Sequence, residues 1–338
     1  MSDQELRVAV LGVGMMGADH VDRVTNRISG ARVAVVNDHL ADKAEQVAAT
    51  VPGARVAADA LDAIASDDVD AVLLATPGAV HEKQLLACLE QRKPVLCEKP
   101  LTTDVGTSLE VVRREAELGT PLIQVGFMRR FDPEYMELKA LLDGGELGQP
   151  LVMHCVHRNP AVPAGFDSTM VVKDSLVHEV DVTRFLLGEE IAAVRILRPR
   201  INSRAPEGLQ DPQMAIFETT SGRYVDVEVF VTTGVGYEVR TEVVGENGSA
   251  TIGLDVGLVR KSSPGTWGGR ITPGFRERFG VAYDIEVQRW VDAVRAGTNV
   301  AGPTAWDGYA ATAVCAAAVR SLQSGERVGV ELAKHIEA

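Results

Sequence analysis

A chain of 338 residues is long enough for two domains, each with its own core. Its 46% hydrophobic and 24% charged residues are those of an ordinary globular protein, and a net charge of −13 argues against nucleic acid or an anionic membrane surface as partner. No apolar stretch reaches the roughly 18 residues of a bilayer span, and MSDQELRVAV lacks the basic-then-apolar order of a secretory signal. The four cysteines (Cys88, Cys97, Cys155, Cys315) are scattered through apolar contexts, so free thiols in a reducing, cytoplasmic compartment are expected, without disulfides or a metal cluster.

Up to about residue 127, apolar runs alternate with helical stretches. Strands are expected at 7–12, 32–38, 54–57, 70–76, 94–98 and 121–126, with helices such as 79–91 and 103–118 between them. That alternation predicts a parallel, doubly wound α/β sheet. The runs AVLLAT and LIQVGF are apolar throughout, as in strands buried on both faces. The first run leads into Gly12, Gly14 and Gly17, then a helix, then a strand ending at Asp38, twenty-one positions after Gly17. This is the order of a βαβ dinucleotide-binding unit. Gly12 allows the tight turn, Gly14 lets backbone approach a pyrophosphate, and Gly17 lets helix and strand pack closely. Asp38 stands where a carboxylate can accept ribose hydroxyls. A glycine-rich turn in some other α/β protein is the bland alternative.

Beyond about residue 150 the pattern changes. A helix is expected at 174–187, ending at Gly188, followed by strands at 191–198, 213–220, 223–232, 237–244, 248–253 and 256–260. Ser221-Gly222 and Asn247-Gly248 read as hairpin turns, which predicts an antiparallel sheet in an α+β second domain. In RYVDVEVFV, Tyr224, Asp226, Glu228 and Phe230 face one way and Val225, Val227 and Val229 the other. A wide sheet with such an open face suits pairing with a copy of itself. The segment 261–280 reads as a mobile loop, and helices are expected near 281–296 and 304–323.

Three further features could carry chemistry. Ala75-Thr76-Pro77 closes the fourth strand, at the carboxyl edge where open α/β sheets bind ligands; strands ending in Thr-Pro are also common without any function. Glu98-Lys99-Pro100 closes the fifth. A lysine there is suited to proton transfer if desolvated, and the following proline can hold a cis bond; a surface lysine is the competing reading. The third feature is Asp174-Ser175-Leu176-Val177-His178-Glu179-Val180-Asp181. On a regular helix, 174, 178 and 181 share one face, so a histidine lies between two carboxylates, a pattern suited to a general base. A merely solvated stripe is the alternative. A divalent metal would want more ligands, and no HxxxH or CxxC spacing supplies them.

GVGMMG, ATPGAVH, EKP, GFMRRFD and the DxxxHxxD helix occur in the order and spacing of the Gfo/Idh/MocA oxidoreductases, and the chain resembles that family over nearly its whole length. GFMRRFD, His157-Arg158-Asn159-Pro160 and RFGVAYDIEVQRWVDAV are most similar to its inositol 2-dehydrogenases. The resemblance implies a Rossmann domain over 1–127 and a substrate-binding and oligomerisation domain over 128–338, with an open-faced antiparallel sheet. It implies a catalytic set of Lys99, Asp174 and His178. Cofactor contacts are implied for Gly12, Gly14, Met15, Met16, Gly17, Asp38, Thr76, Pro77, His81, Glu98 and Lys99. Substrate contacts are implied for Arg129, His157, Asn159, Asp174, His178, Asp181 and Tyr237. The cofactor implied is NAD, with His39 leaving NADP open. The reaction implied is oxidation of a cyclic polyol to a ketone, myo-inositol to 2-keto-myo-inositol first, by a homotetramer without a metal. Another inositol isomer or sugar, a glycosidase using tightly held NAD, a dihydrodiol dehydrogenase and a non-catalytic NAD(P) sensor are the alternatives.

Overall fold

The structure, a computed structural model, describes residues 5–254, 272–298 and 302–336. The chain divides into two compact units. The first holds Met1–Met128, Val281–Thr312 and Leu332–Ala338; the second holds Arg129–Gly280 and Ala313–Glu331.

In the first unit, β1 (Leu6–Leu11), β2 (Ala31–Asn37), β3 (Arg55–Val56), β4 (Ala71–Leu74), β5 (Val95–Glu98) and β6 (Ile123–Gly126) alternate with α1 (Met15–Asn26), α2 (Ala41–Ala48), α3 (Ala60–Ala65), α4 (His81–Glu90) and α5 (Val105–Leu118). The strands are parallel in the order β3-β2-β1-β4-β5-β6. This is the doubly wound sheet expected, with its switch point between β1 and β4, where such sheets open a ligand crevice at their carboxyl ends. Val8, Val10 and Leu73 are fully buried, as strands covered on both faces require.

The expectation that everything past residue 127 belongs to the second unit differs from what is seen. Val287, Trp290 and Val291, late in α9 (Phe275–Ala296), pack with Val8, Val10, Val21 and Val24 in the first unit's core. These side chains are the apolar stripe of a long helix, and a stripe does not name its partner. Helix α9 also starts inside the loop expected over 261–280; residues 261–271 of that loop, and the strand expected at 256–260, lie outside the described residues.

In the second unit, α6 (Pro133–Asp143) is followed by β7 (Pro150–Arg158). Helix α7 (Ser168–Met170) then runs through a π-helical turn, Val171–Leu176, into α8 (Val177–Leu187), which Gly188 ends in the left-handed region. Strands β8 (Ile191–Leu197), β9 (Gln213–Thr219), β10 (Tyr224–Phe230), β11 (Glu238–Gly245) and β12 (Gly248–Ile252) follow, then α10 (Ala305–Ser324) and β13 (Val328–Gly329). The sheet order is β12-β11-β7-β10-β9-β8-β13. All neighbours are antiparallel except β7 and β10, which are parallel, so the sheet is mixed and not the purely antiparallel one expected. The difference comes from β7, a strand with no tight turn joining it to its neighbours. Sequence reasoning passed over it because Cys155 and His157, both buried, stand where apolar residues would mark an inward face.

The alternation expected in β10 is present: Val225, Val227 and Val229 are buried, while Tyr224 is 53% exposed. The hairpin between β9 and β10 turns at Ser221-Gly222. The next one turns at Glu246-Asn247, one residue earlier than expected, and Gly248 already pairs with Gly245. All four cysteines are free and buried. Among the described residues no helix is long and apolar enough to cross a membrane, and no group of side chains could hold a metal ion.

Candidate active site

In the first unit, the end of β1 is built around what side chains its glycines lack. Gly12 has φ +81°, and a Cβ there would lie 2.7 Å from the carbonyl carbon of Ala75. A Cβ on Gly17 would lie 1.7 Å from the Gly12 carbonyl oxygen, so only glycine lets α1 sit this close to the turn. Gly14 is different: a Cβ there would meet nothing within 4 Å. Gly14 caps α1 without a side-chain hydrogen bond, and no acidic residue stands in the first turn, so nothing there offsets the positive end of the helix. Met15 is 62% exposed and Met16 half-buried beside it.

Asp38, at the end of β2, accepts the Val13 N–H at 2.9 Å and the Leu40 N–H at 3.0 Å; His39 Nδ1 lies 2.9 Å from it. Burial alone would raise this carboxyl, but the two backbone donors outweigh it and hold Asp38 below the usual carboxylate range. The carboxylate is thus pre-set and ionised. An uncapped helix N-terminus, an open glycine face and this carboxylate fit a bound dinucleotide through its pyrophosphate and its ribose hydroxyls.

His81 bridges the two turns farther along the sheet edge. Its Nε2 lies 2.8 Å from the Thr76 carbonyl oxygen and its Nδ1 2.8 Å from that of Pro100, while Thr76 Oγ1 donates to Gln84 at 2.6 Å. Pro77 is exposed next to Thr76. Glu98 is buried and lies 2.8 Å from His20 Nε2. Lys99 follows it, half-buried, and the Lys99-Pro100 peptide is cis.

The second unit supplies a buried polar cluster. Arg129 and Glu179, 1% and 2% exposed, form a close ion pair through Arg129 Nη1 and Glu179 Oε1. The other carboxylate oxygen lies 3.1 Å from His157 Nδ1. Burial would raise the Glu179 carboxyl, but Arg129 and then His157 hold it below its usual range. Burial would lower the Arg129 guanidinium, and Glu179 more than reverses that. The Tyr237 ring stands edge-on to His157 at 5.8 Å, and the His178 ring lies 6.3 Å from His157. Burial pushes the Tyr237 phenol up, with Arg129 pulling part of the way back. Asn159 anchors the end of β7, donating its N–H to Phe230 at 2.9 Å. Its side-chain oxygen is buried without a hydrogen-bond partner among the described residues.

The stretch 174–181, read as one regular helix, begins in the π-helical turn. Asp174 lies inside that turn and is exposed, whereas His178 and Asp181 are 7% and 1% exposed. Asp181 takes both oxygens to Arg130, at 3.0 Å and 3.1 Å from Nε and 2.6 Å from Nη2. Sequence reasoning singled out neither Glu179 nor the Arg130–Asp181 pair. The signal for Glu179 was its place next to His178, on the adjoining side of the helix, where a carboxylate buried among apolar neighbours needs a cation.

Residues 6–127 match the Gfo/Idh/MocA oxidoreductase model described as an NAD-binding Rossmann fold, and residues 139–332 match that family's C-terminal α/β domain. The chain belongs to this family. It is 76% identical over 330 residues to inositol 2-dehydrogenase 2 of Mycolicibacterium vanbaalenii, covering 98% of this chain and 96% of that protein. It is 74% identical over 332 residues to the inositol 2-dehydrogenase of Mycolicibacterium gilvum, covering 98% and 95%. Among solved structures it resembles the Lactobacillus casei myo-inositol dehydrogenase in complex with NAD(H) and myo-inositol, with a TM-score of 0.94, 36% identity and 98% of each chain covered. Family membership accounts for the two-unit plan and for the glycine turn at the NAD-binding edge.

Proposed function

We propose that the protein is an NAD-dependent dehydrogenase that oxidises the 2-hydroxyl of myo-inositol to a ketone. The observation that carries this reading is the identity of 70–76% with six inositol 2-dehydrogenases along nearly the whole chain. The chemistry of the second unit supports it. A polyol offers hydroxyls on every side, and a wall of buried arginine, histidine and tyrosine side chains with the half-buried Asn159 can satisfy them. A partner left unpaired by the wrong isomer costs about 1–3 kcal/mol, which is the basis for discriminating stereoisomers.

NAD, when bound, accepts the hydride. The glycine turn and Asp38 hold it, and Thr76, Pro77 and His81 shape the adjoining edge. We assign His178 the removal of the hydroxyl proton, Lys99 a hydrogen bond to the same oxygen as it gains negative charge, and Asp174 the orientation of His178. Arg129, His157, Asn159 and Tyr237 are assigned to the polyol. Asp181 is assigned to holding Arg130. We further propose a cytoplasmic homotetramer in which copies meet across the outward face of the seven-stranded sheet, where Val156, Ile216 and Tyr224 stand among the ion pairs of Arg158 with Glu228 and Glu238. Light scattering reads the assembly directly.

Formation of NADH by the purified protein against a panel of inositol isomers and hexoses, with NAD and NADP in parallel, tests the substrate. Turnover on myo-inositol with NAD above the rest of the panel is expected. NAD binding without turnover on any member would refute the reading and leave a sensor on this fold.

A further inference from the structure

The buried cluster in the second unit contains a carboxylate with a defined task. Glu179 divides its two oxygens between two donors: Oε1 pairs with the Arg129 guanidinium, and Oε2 lies 3.1 Å from His157 Nδ1. All three side chains are almost wholly buried, at 1%, 2% and 3% exposure, so water does not stand in for a missing partner. Arg129 Nη2 also lies 3.3 Å from His157 Nδ1, so that nitrogen has a pure donor and a pure acceptor beside it. It can serve only one.

If Nδ1 carried no proton, it would accept from Arg129 and set its lone pair against an ionised carboxylate oxygen at the shorter of the two distances. If Nδ1 carries the proton, it makes a charge-assisted bond to Glu179. Arg129 then loses little, because its Nη1 keeps the same carboxylate as acceptor. The second arrangement satisfies both Nδ1 and the carboxylate oxygen nearest to it.

We propose that Glu179 is a positioning residue: it fixes His157 as the neutral Nδ1–H tautomer, so that an unprotonated Nε2 meets the substrate and accepts the proton of one hydroxyl. Among the described residues, the groups seen to contact the ring are Glu179, Arg129, Tyr237 and His178, of which Glu179 is the carboxylate. In this arrangement Arg129 serves as the counter-ion that keeps Glu179 charged, and its hold on a polyol is secondary. The same device, a carboxylate on one imidazole nitrogen setting the role of the other, orients histidines in many sites. The consequence for specificity is that the hydroxyl opposite His157 must act as a donor. This inference rests on the reading of the second unit as a polyol site, and its first test does not depend on that reading.

The test is solid-state ¹⁵N NMR of histidine-labelled protein, with the His157 signals assigned by their loss in His157→Asn. A neutral ring protonated on Nδ1 is expected; a ring protonated on Nε2, or on both nitrogens, would overturn the proposal. The second arm is Glu179→Gln, whose amide can donate to Nδ1 and reverse the tautomer. A KM for myo-inositol raised at least about tenfold is expected, with the KM for NAD unchanged and Nε2 now protonated in the spectrum. An unaltered KM in a folded Glu179→Gln protein would refute the assignment. If that variant does not fold, the wild-type spectrum decides. If the wild type turns over no polyol, the substrate reading fails while the tautomer is still read.

Discussion

Replacing Arg129 by methionine should be among the most damaging single changes in the second unit. The guanidinium is 1% exposed and its partner Glu179 is 2% exposed. Methionine fills much of the same volume, so the loss is chiefly electrostatic: a carboxylate remains buried with the His157 N–H as its donor and no counter-ion beside it. Breaking a buried pair by removing one partner costs about 3–5 kcal/mol, against about 0–1 kcal/mol for a surface pair. Equilibrium urea unfolding followed by tryptophan fluorescence measures the difference. The double variant Arg129→Met/Glu179→Leu removes both charges and should recover most of the loss. What remains should be about 1–3 kcal/mol, for the His157 N–H left without its acceptor. The pH dependence has a definite sign. Glu179 is held below its ordinary value of 4.5, so the stability it contributes is complete above that value and is lost as pH falls through the lower folded value. The advantage of wild type over Arg129→Met should therefore hold at pH 7 and narrow in acid. A loss below about 1 kcal/mol at pH 7, or a double variant as unstable as the single, would refute the argument, since the pair would then behave as a solvated one.

Other expectations follow from the same geometry. Lys99→Ala and His178→Ala should each lower kcat by at least about a hundredfold while NAD still binds by fluorescence titration; full activity in either removes that residue from the mechanism. Asp38→Ala should raise the KM for NAD and weaken its preference over NADP, because the carboxylate pre-set by Val13 and Leu40 is lost. Gly17→Ala and Gly14→Ala should separate folding from binding. The Gly17 Cβ overlaps backbone and should lower the melting temperature, whereas the Gly14 Cβ enters open space and should weaken NAD binding at an unchanged melting temperature. The cysteines should resist a thiol reagent at neutral pH until the protein is unfolded, since burial pushes Cys88 up to about 12 and Cys97 well above its ordinary value.

Features that rest on neighbours in sequence were legible without the structure. The strand, glycine turn, helix, strand and Asp38 of the first unit each carry their reason locally, in a missing Cβ or an apolar run. So do the hairpin between β9 and β10 and the alternation along β10. What was not legible depends on distant packing. Strand β7 lies between β11 and β10, and its inward Cys155 and His157 read as polar until their burial is known. The π-helical turn at Val171–Leu176, with Asp174 inside it and exposed, is not signalled by an α-helical period. That Arg130 reaches both oxygens of Asp181, a residue also expected to meet the substrate, could not be read from their separation of fifty-one positions. Glu179 looked like an ordinary helix carboxylate, and its meaning depends on Arg129 and His157, fifty and twenty-two residues away. The apolar stripe of α9 was evident, but not that Trp290 belongs to the core beneath β1.

The central claim is oxidation at one carbon with transfer of its hydrogen to NAD. The most direct measurement uses myo-inositol deuterated at C2 alone, with mass spectrometry of both products. One deuterium in the NADH and none in the ketone is the result predicted. NADH formed without label, the deuterium staying in the carbohydrate, would contradict the account, because a different carbon would then be the one oxidised.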